Sequence, residues 1–119
     1  MKILITGASG FVGRPLCDAI AHAGHAEYSI VPVVRTPHGL PGEYVIKNID
    51  AETDWREALR GIHAVIHLAA RVHVMHDSAV DPLAVFRSIN TAGTLNLARQ
   101  VAAAGVRRFV FVRDRKSVV

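Results

Sequence analysis

The sequence predicts an α/β protein built on a doubly wound parallel sheet that ends after about five strands. Three observations predict it. Short apolar runs alternate with longer amphipathic stretches along the chain. The second run carries Ile30, Val31, Val33 and Val34 in near-continuous order, the pattern of a strand covered by helices on both faces. A glycine-rich turn stands between the first run and the first helical stretch.

Residues 2–5, Lys-Ile-Leu-Ile, form the first expected strand. Residues 11–23 follow as a helix stopped by Gly24, a residue suited to the left-handed conformation at a helix C-terminus. Residues 28–34 form the second strand, although Pro32 inside it removes a donor from the ladder. The run Thr36-Pro37-His38-Gly39-Leu40-Pro41-Gly42 is loop by its turn formers, and residues 44–47 are a short third strand. Asp54 and Glu57 have capping-box spacing and predict a short helix there. Residues 64–68 are the fourth strand. Asp81 before Pro82 marks the start of a long helix that runs to about Ala104 and stops at Gly105. Residues 108–112 are the fifth strand. No linker composition divides the chain, so residues 1–112 are read as one domain.

Composition excludes several classes. Half of the 119 residues are apolar and a fifth are charged, as in globular chains and unlike disordered ones. No apolar run approaches the roughly 18–20 residues of a membrane span, and the N-terminus lacks the core of a secretory signal. The expectation is a cytoplasmic protein with no membrane partner. The net charge of +4 is not gathered into a basic stripe with interleaved aromatics, so no nucleic-acid partner is expected. Cys17 is the single cysteine, which excludes an internal disulfide. The seven histidines lack the cysteines or paired carboxylates that complete a tetrahedral set, and no metal site is expected.

The chemistry starts at Thr6-Gly7-Ala8-Ser9-Gly10-Phe11-Val12-Gly13. Glycines spaced G-x-x-G-x-x-G between a strand and a helix suit a dinucleotide. Gly7 allows the tight turn, Gly10 lets backbone N–H groups approach a pyrophosphate, and Gly13 lets the helix pack closely. The phosphates then lie at the positive end of that helix. The sheet expected is therefore of Rossmann type. The end of the second strand selects the cofactor, and a carboxylate there would hold the ribose hydroxyls of NAD. Counting about 20 residues past the glycines reaches Val33-Val34-Arg35, where no carboxylate stands. Arg35 suits a 2′-phosphate, so the cofactor is read as NAD or NADP with NADP favoured. The alternative for Arg35 is a solvated loop arginine.

The stretch from Ile5 through Gly13 resembles the opening of the extended short-chain dehydrogenase/reductases, the NAD-dependent epimerase/dehydratase family. The resemblance continues through His67-Leu68-Ala69-Ala70, through Asn90-Thr91-Ala92-Gly93-Thr94-Leu95-Asn96-Leu97, and through Arg107-Arg108-Phe109-Val110-Phe111-Val112. It covers residues 1–112 in order. The wording Ala69-Ala70-Arg71-Val72-His73-Val74-Met75 is similar to the UDP-glucose 4-epimerase-like subgroup. The resemblance implies cofactor contacts at Gly7, Ser9, Gly10, Phe11, Val12 and Gly13. It implies that Asp50, with Ala51, holds the adenine amino group, the alternative being a helix-capping aspartate. It implies that Leu68, Ala69 and Ala70 run beneath the cofactor, that Asn90 faces the site, and that Arg71 and His73 meet a nucleotide-sugar substrate. It also implies a parent enzyme, often a homodimer, that moves a hydride to or from a sugar carbon.

Members of this family use a tyrosine as acid or base, with a lysine four residues later that lowers its pKa. The lysines here are Lys2, Lys47 and Lys116, and none has a tyrosine four residues before it. Tyr44 and Lys47 are three apart in a strand-like segment. Arg113-Asp114 stands where the family shows serines. The expectation is therefore a cofactor-binding fragment with no catalytic residue of its own and inactive alone. The other reading is a non-catalytic dinucleotide-binding or sensor module. Residues 113–119 are expected to be a non-native tail, because residues 114–119 match the translation of a common sequencing adapter. The fifth strand is expected to present a bare apolar edge.

Overall fold

The computed structural model describes residues 1–23, 27–68 and 82–112, with only the backbone for 82–90. The expectations placed on Gly24, Ala69, Ala70, Arg71, His73, Asp81 and residues 113–119 lie outside these. The elements are β1 (Lys2–Thr6), α1 (Gly13–His22), β2 (Ser29–Val34), β3 (Tyr44–Val45), β4 (Ala64–His67), α2 (Pro82–Ala103) and β5 (Arg108–Phe111). Among the described residues they make one five-stranded sheet in the order β3-β2-β1-β4-β5. Every pairing is parallel, with Leu4 opposite both Val31 and Val65, and Val65 opposite Phe109. The α/β doubly wound sheet expected from the alternating runs is the one observed.

Side-chain alternation splits the sheet into two faces. Leu4, Val33 and Val65 point to one side and pack on Leu97 and Val101 of α2 and on Trp55, Ala58, Leu59 and Ile62. Ile3 and Ile5 point the other way and are also buried. The order of the strands explains the two sides. The chain steps from β1 to β2 in one direction and from β4 to β5 in the other, so right-handed crossovers put α1 and α2 on opposite faces. The Pro32 problem is solved by phase. The Val33 carbonyl accepts from Ala8 on the β1 side, and the Val34 carbonyl accepts from Ile46 on the β3 side. Pro32 alternates with Val33 and turns its missing N–H toward β3, at a level where β3 has not begun.

Several boundaries differ from expectation. The helix at residues 11–23 is shorter: Phe11 and Val12 belong to the turn, because Gly13 must back directly onto Gly7. β3 stops at Val45 because β2 ends at Val34, leaving Lys47 nothing to pair with. β4 stops at His67 because the Leu68 N–H turns to the Thr6 hydroxyl, 3.0 Å away. The segment after Asp54 is not a helix. Asp54 Oδ1 accepts from the N–H of Arg56, the Leu59 N–H reaches Trp55 across one helical turn, and shorter turns follow. Gly61 then reverses the chain at φ 71°. A single turn bears the cost of helix nucleation without the bonds of propagation. The end of α2 is as expected: Gly105 N–H bonds Ala102 and Val106 N–H bonds Val101, which is a Schellman closure. β5 is an edge strand among the described residues. Val110 and Phe111 on it and Val112 just after it are each about half exposed, as expected for an uncovered strand.

Candidate functional site

The carboxyl ends of β1, β2, β3 and β4 share one edge of the sheet, and most of the residues singled out in the sequence lie along it. The turn after β1 is closed by backbone bonds: Gly10 N–H to the Gly7 carbonyl at 3.0 Å and Arg14 N–H to the Gly10 carbonyl at 3.1 Å. Gly7 has φ 68°, where an L side chain is strained. A Cβ on Gly13 would run into the Gly7 carbonyl and lie 2.9 Å from the Ala8 Cα. The start of α1 is thus seated on the turn itself. Val12 occupies the N-cap and has no side-chain acceptor to offer, and the first turn of α1 has no acidic residue. No side-chain acceptor among the described residues caps the positive end of the helix. Ser9 is half-buried, and Phe11 is 98% exposed on the outer rim. The Gly10 N–H itself is spent on closing the turn.

Arg35 follows β2 directly and is exposed. The glycine turn reaches it through the bond of Ala8 N–H to the Val33 carbonyl, 3.3 Å, so the guanidinium is carried two residues from the point where turn and strand join. Leu68 follows β4 and is bonded to Thr6, the last residue of β1. Asp50 and Ala51 stand farther along, after β3. Asp50 Oδ1 accepts from the Glu52 N–H at 2.9 Å. Its Oδ2 has no partner among the described residues. Asp50 caps no helix, because none follows it. Asn90 lies on the described backbone of α2.

Two groups of hydrogen-bonded polar side chains were not singled out in the sequence. The first is a buried relay: His67 Nδ1 lies 2.7 Å from the Thr6 hydroxyl and Nε2 lies 3.1 Å from the Thr94 hydroxyl. The ring also stacks on Phe111 with centroids 5.4 Å apart. Burial pushes the His67 pKa down to about 4, so the ring is neutral at ordinary pH. Among the described residues no group of three or more His, Cys, Asp or Glu could hold a metal ion, and no helix is long and apolar enough to cross a membrane. The second is a set of side-chain amide bonds from α2 to residues 50–55. A mid-helix glycine, Gly93, was its one sequence signal: a Cβ there would lie 2.8 Å from the Ile49 carbonyl. Helix and loop touch backbone to backbone.

Comparison with known proteins agrees with this arrangement. The model of the NAD dependent epimerase/dehydratase family matches residues 3–113. The chain belongs to that family. It is 38% identical to a UDP-glucose 4-epimerase of Vibrio cholerae over 97% of its own length and 35% of the relative's. It is 33% identical to a 3-beta-hydroxysteroid dehydrogenase of Mycolicibacterium neoaurum over 99% of its length and 33% of the relative's. Its fold matches a short-chain dehydrogenase/reductase superfamily protein of Agrobacterium tumefaciens, solved with NAD bound. That match has a TM-score of 0.73 and 32% identity, and covers 93% of this chain and 32% of that one. The chain therefore spans about a third of these proteins. A sugar-nucleotide enzyme and a steroid enzyme share this third, so what it has in common with them is a cofactor-binding fold and not a substrate.

Proposed function

We propose that this chain is the NAD(P)-binding part of a nucleotide-sugar epimerase, dehydratase or reductase. One observation carries the reading: the N-terminus of α1 is uncapped, free of acidic side chains, and pressed so closely onto Gly7 that Gly13 admits no side chain. That cradle suits a pyrophosphate. The N–H groups at the start of α1 would hold the phosphates, Leu68 would underlie the nicotinamide half, and Asp50 Oδ2 would accept from the adenine amino group. Ala69, Ala70 and Asn90 belong to the same reading on the strength of the family resemblance. The cofactor supplies the hydride acceptor and donor, while these residues bind and orient it.

Arg35 favours NADP, because its guanidinium ends β2 where a 2′-phosphate would lie and no acidic residue stands beside it in sequence. The nucleotide-sugar substrate is favoured by the similarity to a UDP-glucose 4-epimerase. A cytoplasmic setting and a homodimeric parent are parts of this reading that rest on the sequence. Titration calorimetry with NAD and NADP tests it. One nucleotide is expected per chain, and Arg35→Ala should weaken NADP about tenfold while leaving NAD unchanged. Binding of neither nucleotide would contradict the reading. Equal loss for both in Arg35→Ala would remove the NADP preference alone.

A further inference from the structure

The loop that carries Asp50 is not held by its own strand. It is held by two side-chain amides one turn apart on α2. Asn96 Nδ2 donates to the Asp50 carbonyl at 3.1 Å and to the Thr53 carbonyl at 2.8 Å. Gln100 Nε2 donates to the same Thr53 carbonyl at 2.8 Å and to Asn96 Oδ1 at 2.8 Å. Gln100 Oε1 accepts from the Trp55 N–H at 2.7 Å. All four amide hydrogens and both amide oxygens are used, and Asn96 is buried. One turn back on the same face, Gly93 lets the helix approach the Ile49 carbonyl. Inside the loop, Thr53 Oγ1 accepts from the Asp50 N–H at 2.9 Å and donates to the Asn48 carbonyl at 2.7 Å. The Glu52 N–H and the Thr53 hydroxyl both bond Asp50 Oδ1, at 2.9 Å and 3.2 Å, which leaves Oδ2 without a partner among the described residues.

We propose that Asn96 and Gln100 are positioning residues that set the cofactor's adenine preference, by locking the backbone from Asp50 to Trp55 so that Asp50 Oδ2 meets the adenine amino group. The proposal rests on the reading of Asp50 given above. Neither amide touches the cofactor. They act through the Asp50 and Thr53 carbonyls, and a saturated bond network of this kind permits one loop geometry. Both amide donors are needed: a carboxylate at either position would face carbonyl oxygens instead of donating to them.

The test compares binding of NAD with binding of nicotinamide hypoxanthine dinucleotide, which lacks only the adenine amino group. The chain should prefer NAD by about tenfold, and Asp50→Ala should erase that preference. Asn96→Asp, Gln100→Glu and Gly93→Ala should erase it too, while each keeps its affinity for the hypoxanthine analogue. General damage would weaken both nucleotides alike, and that result would overturn the proposal. If Asp50→Ala erases the preference and the α2 variants retain it, the positioning role is wrong and the adenine reading stands. If Asp50→Ala retains it, both fall. A measurement on the unsubstituted chain needs no variant to fold: NAD should slow amide exchange at Glu52 and Trp55, and the hypoxanthine analogue should not. Equal slowing, or none, would contradict the proposal.

Discussion

The glycine turn after β1 and the loop at residues 48–56 lie on the same edge of the sheet and are built in opposite ways. The turn is held by backbone alone: Gly10 to Gly7, Arg14 to Gly10, Ala8 to Val33. Ala8 in it is buried, while Phe11 is almost wholly in solvent. The loop is held by side chains from far along the chain, Asn96 and Gln100, and anchored by Trp55, which is fully buried. A backbone-held turn keeps its N–H groups directed at one point and suits an anion that every dinucleotide carries. A side-chain-held loop can be re-aimed by substitution and suits a directional contact such as one to the base of the cofactor. His67 joins the two regions, since one ring nitrogen meets the strand that enters the turn and the other meets the helix that holds the loop.

That contrast can be broken at each part. Trp55→Ala removes the anchor of the loop and leaves a large cavity, and should cost about 4 kcal/mol in urea unfolding. The His67 joint is broken by acid. Its pKa lies near 4 in the fold and about 6.5 in the unfolded chain. The unfolded chain therefore takes up a proton that the fold refuses. The stabilising contribution of neutral His67 is complete above about pH 6.5 and is lost as pH falls toward 4, by about 3 kcal/mol in all. Unfolding measured across that window should show the slope, and His67→Gln should flatten it. Gly13→Ala attacks the turn, where the added Cβ meets rigid backbone; about 2 kcal/mol of stability should go, together with nucleotide binding, while the amides of residues 50–55 stay protected from exchange. Trp55→Phe should do least. The indole Nε1 is buried without a partner among the described residues, so removing it relieves a cost that roughly offsets the smaller ring, and stability should move by less than about 1 kcal/mol.

The same contrast explains what could be read in the sequence. The turn was legible because its requirement falls on glycines at fixed spacing within eight residues. The sheet was legible because parallel strands buried on both faces are written as apolar runs. Arg35 was found by counting from the glycines, and it does stand where β2 ends. The hold on the loop was not legible. Asn96 and Gln100 look like ordinary polar residues on a helix, and their partners are backbone carbonyls more than forty residues away, which have no sequence signature. Gly93, a glycine in mid-helix, is the one residue that could have signalled a close approach. The short helix expected at Asp54 failed for a related reason: local capping chemistry favoured it, but Gly61 and the return to β4 left room for one turn only.

The central claim is that these two regions form one cradle for a single dinucleotide. Amide chemical shifts of the isotope-labelled chain, recorded as NAD is added, test it most directly. The account predicts that Phe11, Val12 and Gly13 shift together with Asp50, Ala51 and Glu52, along one saturation curve. Shifts in the turn without the loop, or two curves with different midpoints, would contradict it.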